Sequence, residues 1–182
     1  MGIKQTLDVI NAMERDGVIE RYAIGGAVAA YNYIEPTVTE DLDIFLSIKS
    51  DAPIVTLDPI LGYLRRHGYT HFRKEGIVIE GWAVQFIPIS NGLDEEALER
   101  AELTEIRANG GKVRARIMTP EFLVALALRV GRPKDFQRIG QFLDEKATNL
   151  KKLRSVIERH DLRRAWQSFC RKTGRSNPFA AK

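Results

Sequence analysis

The chain has 182 residues, of which 44% are hydrophobic and 29% charged, and a net charge of +4, which is ordinary for one soluble globular domain or one domain with a small addition. No stretch approaches the ~20 apolar residues of a membrane span, and the N-terminus lacks a signal-peptide core. The single cysteine, Cys170, excludes an internal disulfide, so a cytoplasmic protein without membrane association is expected.

The first half of the chain predicts helices alternating with strands. Apolar residues at helical spacing near the N-terminus favour a helix, and short apolar runs bounded by Gly or Pro favour strands. The predicted elements are a helix over 3–13, a strand over 22–24, a turn at Gly25-Gly26, a helix over 27–31, a strand over 42–46, a helix over 60–66, and strands over 76–80 and 83–89 joined by a turn at Gly81-Trp82.

The second half predicts mainly helices. Thr119 has the character of an N-cap, with Pro120 at the first helical position. The predicted elements are helices over 94–101, 120–130, 134–143, 149–159 and 162–171, with one short strand over 113–117. We therefore expect an α/β (α+β) fold with a mixed sheet in residues 1–118 and a helical bundle in 119–172, packed as one body. The polar tail, 173–182, is predicted to be disordered.

Two aspartates and two glycines carry the candidate chemistry. In a strand, residues two apart project from the same face, so Asp41 and Asp43 converge. Mg²⁺ prefers such hard oxygen ligands and shares them with substrate phosphates. Gly25 and Gly26, opening a helix, allow backbone N–H groups to approach a phosphate. Each pair also has an ordinary explanation: the aspartates could be a solvated strand end, and the glycines could be a simple turn.

The order of these residues resembles the signature of the polymerase-β-like minimal nucleotidyltransferases. The matching features are a strand, Gly25-Gly26, a helix, a turn, and the run Thr39-Glu40-Asp41-Leu42-Asp43 leading into an apolar strand. The resemblance implies transfer of a nucleoside monophosphate from an NTP. Asp41 and Asp43 would hold Mg²⁺, and Gly25, Gly26 and Thr39 would lie at the nucleotide.

The chain is more closely similar to the AbiEii-type branch, which includes bacterial toxin nucleotidyltransferases. The similarity extends to Arg132-Pro133-Lys134-Asp135 and the helices that follow. It implies that Arg132 lies at the nucleotide, that Lys134 contacts the triphosphate as a catalytic residue, and that Asp135 orients the site. Alternatively, Lys134 and Asp135 form helix-surface ion pairs worth about 0.3–0.5 kcal/mol.

The sequence departs from the family pattern at the third acid. The matching segment places Gln85 there, and a neutral amide supplies an oxygen ligand but neither charge nor a general base. Glu80 is a candidate substitute if the hairpin brings it close. Catalysis with a weaker metal site and a degenerate copy without catalysis both remain open.

The two halves of the chain differ in charge. Residues 1–91 hold 8 Lys/Arg and 12 Asp/Glu, whereas residues 92–182 hold 20 and 12. A basic half suits an RNA or tRNA acceptor, although solvated helices explain the same counts. The hypotheses are therefore a transferase acting on RNA, a protein or a small molecule such as an aminoglycoside, and a binding module that holds a nucleotide, RNA or protein. A toxin-type enzyme would also have an antitoxin protein as partner.

Overall fold

The computed structural model describes residues 2–36, 38–48, 56–108 and 110–179. The helices are α1 (Ile3–Arg15), α2 (Gly26–Ala30), α3 (Asp58–Arg66), α4 (Gly92–Glu99), α5 (Pro120–Val130), α6 (Pro133–Asp144), α7 (Leu150–Arg159) and α8 (Arg163–Thr173). The strands are β1 (Arg21–Ile24), β2 (Asp41–Ser47), β3 (Phe72–Arg73), β4 (Gly76–Ile79), β5 (Trp82–Pro88), β6 (Glu102–Ala108) and β7 (Gly111–Ile117). None of the helices in these ranges is long and apolar enough to cross a lipid bilayer.

The strands form one mixed sheet in the order β3-β4-β5-β2-β1-β7-β6. The central strand, β2, is parallel to β5 and antiparallel to β1. The β3-β4-β5 and β6-β7 segments are antiparallel, whereas β1 and β7 are parallel. This confirms the predicted fold class, a mixed sheet with flanking helices.

Helix α5 connects the sheet with the C-terminal helices. All residues from Glu121 to Leu128 are buried, because this run is almost wholly apolar, and α5 packs against α2, α4, α6, α7 and α8. Gly131 ends the helix in the left-handed conformation (φ 70°) that glycine favours. Thr119 does occupy the N-cap position, but its hydroxyl makes no capping hydrogen bond. One hydrophobic core therefore runs from the sheet into the helical part.

Strand β6 was not predicted from the sequence. Its burial alternates between exposed and half-buried residues, and Leu103 is 61% exposed. The strand lies at the edge of the sheet and pairs with β7 on one side, so its other backbone edge has no neighbouring strand among the described residues. Edge strands of this kind carry charged side chains, which removes the apolar alternation that identifies a strand.

The tail predicted to be disordered contacts the helices as far as the structure describes it. The Arg175 guanidinium donates two hydrogen bonds of 2.6 Å to the carboxylate of Asp144. Trp166 donates from Nε1 to Asn177 at 2.8 Å, and its ring centroid lies 4.8 Å from that of Phe179. Residues 174–179 thus lie along the helices, and residues 180–182 fall outside the described part of the chain.

Candidate functional site

The aspartate pair lies on β2, in the middle of the sheet. Asp41 and Asp43 are half-buried, alternate with the buried Leu42, and so project from the same face of the strand. In the parallel pairing of β2 with β5, Asp43 lies beside Gln85 and Asp41 beside Ala83. The structure therefore brings the two aspartates together and places the amide of Gln85 next to Asp43.

The glycine pair packs directly against β2. A Cβ at Gly26 would lie 1.7 Å from Asp43 Oδ2, and one at Gly25 would lie 2.6 Å from Phe45 Cε2. Gly26 also has a φ of +59°, a conformation that L side chains rarely adopt. The space a side chain would fill at Gly26 is thus taken by the Asp43 carboxylate. This close packing requires glycine whether or not the pair contacts a phosphate, and the predicted phosphate contact stays a prediction.

Helix α6 brings basic residues to the opposite wall. Asp135 caps its start: Asp135 Oδ2 accepts from the Arg132 backbone N–H at 3.1 Å and from Arg132 Nε at 2.8 Å. Asp135 is buried, with 2% of its side chain exposed. Its ion-pair partner is therefore Arg132 rather than Lys134, and this pair holds the guanidinium of Arg132 near the pocket.

The two walls enclose a pocket of about 210 Å³. Its lining combines polar groups from β2, β5 and α6 with apolar side chains of α5. The lining residues are Gly26, Asp43, Phe45, Gln85, Ile87, Leu123, Leu126, Ala127, Val130, Arg132, Asp135 and Arg138. A lining that holds both an aspartate carboxylate and guanidinium groups has the chemistry that a phosphate group together with a cation would need.

Burial raises the pKa of Asp43 above its ordinary value, and the charge of Asp41 adds to this effect. The positive charges of Arg138, Lys134 and Arg132 oppose it, and Arg138 has the largest effect of the three. An aspartate that is desolvated and faces several cations is typical of a functional site, because such a carboxylate is costly to keep without a positive partner.

Five predicted site residues lie outside the pocket lining, namely Gly25, Thr39, Asp41, Glu80 and Lys134. Gly25 directly precedes a lining residue, Asp41 shares a strand face with one, and the other three are placed as follows. Lys134 is exposed, although its charge acts on Asp43. Thr39 accepts a long hydrogen bond of 3.5 Å from the backbone N–H of Asp41 through its Oγ1, so it contacts the start of β2. Glu80, the proposed substitute for the third acid, lies in the turn between β4 and β5 and accepts a hydrogen bond of 2.7 Å from the Tyr69 hydroxyl. The hairpin therefore does not bring Glu80 into the pocket.

Two residues of the site were missed by the sequence reasoning. Arg138 lies one helical turn after Lys134 on α6, and this spacing was a usable signal. Glu75 lies in the turn between β3 and β4, and its Oε2 accepts a hydrogen bond of 2.9 Å from Gln85 Nε2. Nothing in the local sequence marks Glu75, because only the strand pairing brings it to Gln85.

The residues present suit a cation that is shared with a ligand. In the part of the chain that the structure describes, no group of three or more His, Cys, Asp or Glu side chains is close enough to hold a metal ion. Two carboxylates on one strand face and one amide are available instead. This donor set fits Mg²⁺, which is usually bound through one or two carboxylates together with phosphates and water.

The sequence matches no model of a known protein family, and no curated protein matches it. The structure is similar to that of an antigenic nucleotidyltransferase-like protein from Paracoccidioides brasiliensis, with a TM-score of 0.51 and 16% identity. The similarity covers 93% of this chain and 87% of the other. The chain therefore has a nucleotidyltransferase-like fold, extending over sheet and C-terminal helices together.

Proposed function

We propose that the chain is an Mg²⁺-dependent nucleotidyltransferase that moves a nucleoside monophosphate from an NTP to an acceptor. One observation carries the proposal: Asp41 and Asp43 share a face of β2, opposite the basic residues of α6. In this reading, an acceptor hydroxyl gives its proton to water and its oxygen bonds to the α-phosphorus. The bond from the α-phosphorus to the β-phosphate oxygen breaks, and pyrophosphate leaves. Mg²⁺ supplies charge neutralisation between the phosphates.

The side chains of the pocket have separate tasks in this reaction. Asp41 and Asp43 would hold the cation, while Arg132, Arg138 and the exposed Lys134 would neutralise the phosphate chain. Asp135 keeps Arg132 in place through its two hydrogen bonds. The volume of about 210 Å³ is below the roughly 300–1,000 Å³ of pockets that enclose a drug-sized ligand. We infer that the pocket takes the phosphates, with sugar and base outside it.

RNA, including tRNA, is the acceptor class that the charge distribution favours. Residues 129–182 contain 15 Lys/Arg and 5 Asp/Glu. Eight of these basic residues are exposed on the last two helices, namely Lys151, Lys152, Arg154, Arg159, Arg163, Arg164, Arg171 and Lys172. Trp166 and Phe169 are buried in the core and are not available to stack on bases. The contact with RNA would therefore be electrostatic. Membership of the AbiEii-type toxins, with an antitoxin partner, is part of the same proposal.

The amide at Gln85 favours a second candidate function. A neutral side chain beside Asp43 lacks the charge and the basicity that a third carboxylate supplies. With this substitution the same pocket suits a module that binds a nucleotide, RNA or a protein without catalysing transfer.

Calorimetry of each NTP, with and without Mg²⁺, tests the donor site. The variants are Asp43→Ala and, as a matched control, Asp58→Ala at an exposed position on α3. We expect one NTP to bind in an Mg²⁺-dependent manner to the wild type and to Asp58→Ala, but not to Asp43→Ala. A well-folded wild type that binds no NTP contradicts the proposal.

Transfer of label separates the two candidate functions. The protein is incubated with α-³²P-labelled NTP and, separately, tRNA, protein and aminoglycoside acceptors. Label on an acceptor that depends on Asp43 supports the transferase. Metal-dependent binding without transfer to any acceptor supports the binding module.

A further inference from the structure

The amide of Gln85 has a defined orientation in the pocket. Its Nε2 lies 2.9 Å from Oε2 of Glu75. An ionised carboxylate only accepts hydrogen bonds, so the end of the amide that faces Glu75 is the NH₂ group. The remaining end, Oε1, is the atom that Gln85 has available for a ligand in the pocket it lines.

This orientation matters because Gln85 lies beside Asp43. The two ends of a glutamine amide have nearly the same shape, and only their hydrogen-bond partners decide which end faces which way. Without a carboxylate behind it, the amide is free to turn and donate its NH₂ group to Asp43. A cation would then have to displace that hydrogen bond, and it would gain no oxygen from Gln85.

Glu75 belongs electrostatically to the same pocket. The hydrogen bond to Asp135 is the main cause of the raised pKa of Arg132, and the charges of Asp43 and Glu75 add to it. The Arg132 guanidinium therefore lies within electrostatic reach of the Asp43 and Glu75 carboxylates. Glu80, in the turn at the other end of β4, instead accepts a hydrogen bond from the Tyr69 hydroxyl.

We propose that Glu75 is a positioning residue that holds the Gln85 amide with its oxygen toward the pocket, so that this neutral side chain offers an oxygen ligand to the cation beside Asp43. The inference rests on the proposed function, since it concerns the same cation. It assigns Glu75 no direct contact with substrate or metal. Its effect on the cation passes through Gln85, which distinguishes it from a carboxylate that acts on the cation through its charge.

A double-mutant cycle on cation binding tests this dependence. The variants are Glu75→Ala, Gln85→Ala and the double variant, with Glu80→Ala as a control that removes the same charge from the turn at the other end of β4. Binding of Mn²⁺ alone is measured by electron paramagnetic resonance of the free ion, and thermal unfolding confirms that each variant is folded. Asp43→Ala gives the background level of binding.

We expect Glu75→Ala to raise the Kd for Mn²⁺ about tenfold. Loss of a residue that orients a metal ligand typically weakens binding roughly 10–100-fold, and the exposed position of Glu75 favours the lower end of that range. In the Gln85→Ala background the same change is expected to raise Kd by less than about twofold. An equal loss in both backgrounds overturns the proposal, because Glu75 then acts through its charge. No loss in either background also overturns it.

The failures of the two proposals are distinguishable. A wild type that holds no more Mn²⁺ than Asp43→Ala removes the cation site, and the proposed function and the role of Glu75 fall with it. A wild type that binds Mn²⁺ through Asp43, with no effect of Glu75→Ala, leaves the proposed function standing and removes only the role of Glu75.

Discussion

Substituting Gly26 with Ala tests how closely the Asp43 carboxylate packs on the start of α2. The new methyl group would lie 1.7 Å from Asp43 Oδ2 and 2.7 Å from its Cγ, so the carboxylate has to move. Overpacking of this kind costs about 1–3 kcal/mol. The left-handed backbone at Gly26 adds about 1–2 kcal/mol for any residue with a Cβ. A total of about 3 kcal/mol corresponds to a fall in Tm of roughly 6–12 °C for a chain of this size.

Gly17→Ala is the matched control for this variant. Gly17 also has a positive φ, +74°, but a Cβ there would meet no atom within 4 Å. It should therefore show only the backbone cost, about 1–2 kcal/mol. Urea and thermal unfolding of both variants measure the difference. In the Asp43→Ala background, Gly26→Ala should cost little more than Gly17→Ala does. If the two glycine variants lose the same free energy of unfolding in the wild-type background, the close packing of the Asp43 carboxylate on Gly26 is refuted.

Three further predictions concern charged groups. Because burial raises the pKa of Asp43 above its ordinary 3.8, the folded protein holds this proton more tightly than the unfolded chain. Without Mg²⁺, Asp43→Asn should thus be more stable than the wild type to urea at neutral pH, and this advantage should vanish as the pH falls below 3.8. Burial tends to raise the pKa of Glu96, but hydrogen bonds, including one from His160, lower it below its ordinary 4.5. Glu96→Gln should therefore cost about 1 kcal/mol at neutral pH, and urea unfolding should show that this difference disappears in acid. In calorimetry, Arg138→Ala should weaken NTP binding at least about tenfold and Lys134→Ala less, because Arg138 lines the pocket and Lys134 is exposed; equal losses would contradict this ranking.

The sequence was informative where the structural signal is local. The alternation of Asp41 and Asp43 about Leu42 predicts one shared strand face, and the structure has that arrangement. The run of small and apolar residues in α5 and the glycine after it likewise predict a buried helix that ends at Gly131. These features depend on neighbours within a few residues, so the chain alone reveals them.

The remaining features depend on contacts between distant residues. Strand β6 has one exposed face, which carries Glu105 and Arg107, and one face that is only half-buried after Glu102. Gly110 and Gly111, before β7, are a usable signal for the turn between the two strands. Glu75 and Glu80 lie in turns at opposite ends of β4, and Glu80 is the candidate that was selected from the sequence. The pairing of β4 with β3 and β5 brings Glu75, rather than Glu80, to the side chain of Gln85, and this pairing is not visible in the sequence.

The pocket joins two parts of the molecule that should differ in how readily they open. Strand β2 is paired on both sides in the middle of the sheet, so its amide protons should exchange with solvent only when the whole protein unfolds. Helix α6 packs mainly on α5 and follows the left-handed residue Gly131, so its amides should exchange through smaller openings. Asp41 and Asp43 would then form the rigid side of the pocket. Movement of Arg132 and Arg138 with α6 would set how fast a phosphate enters and leaves.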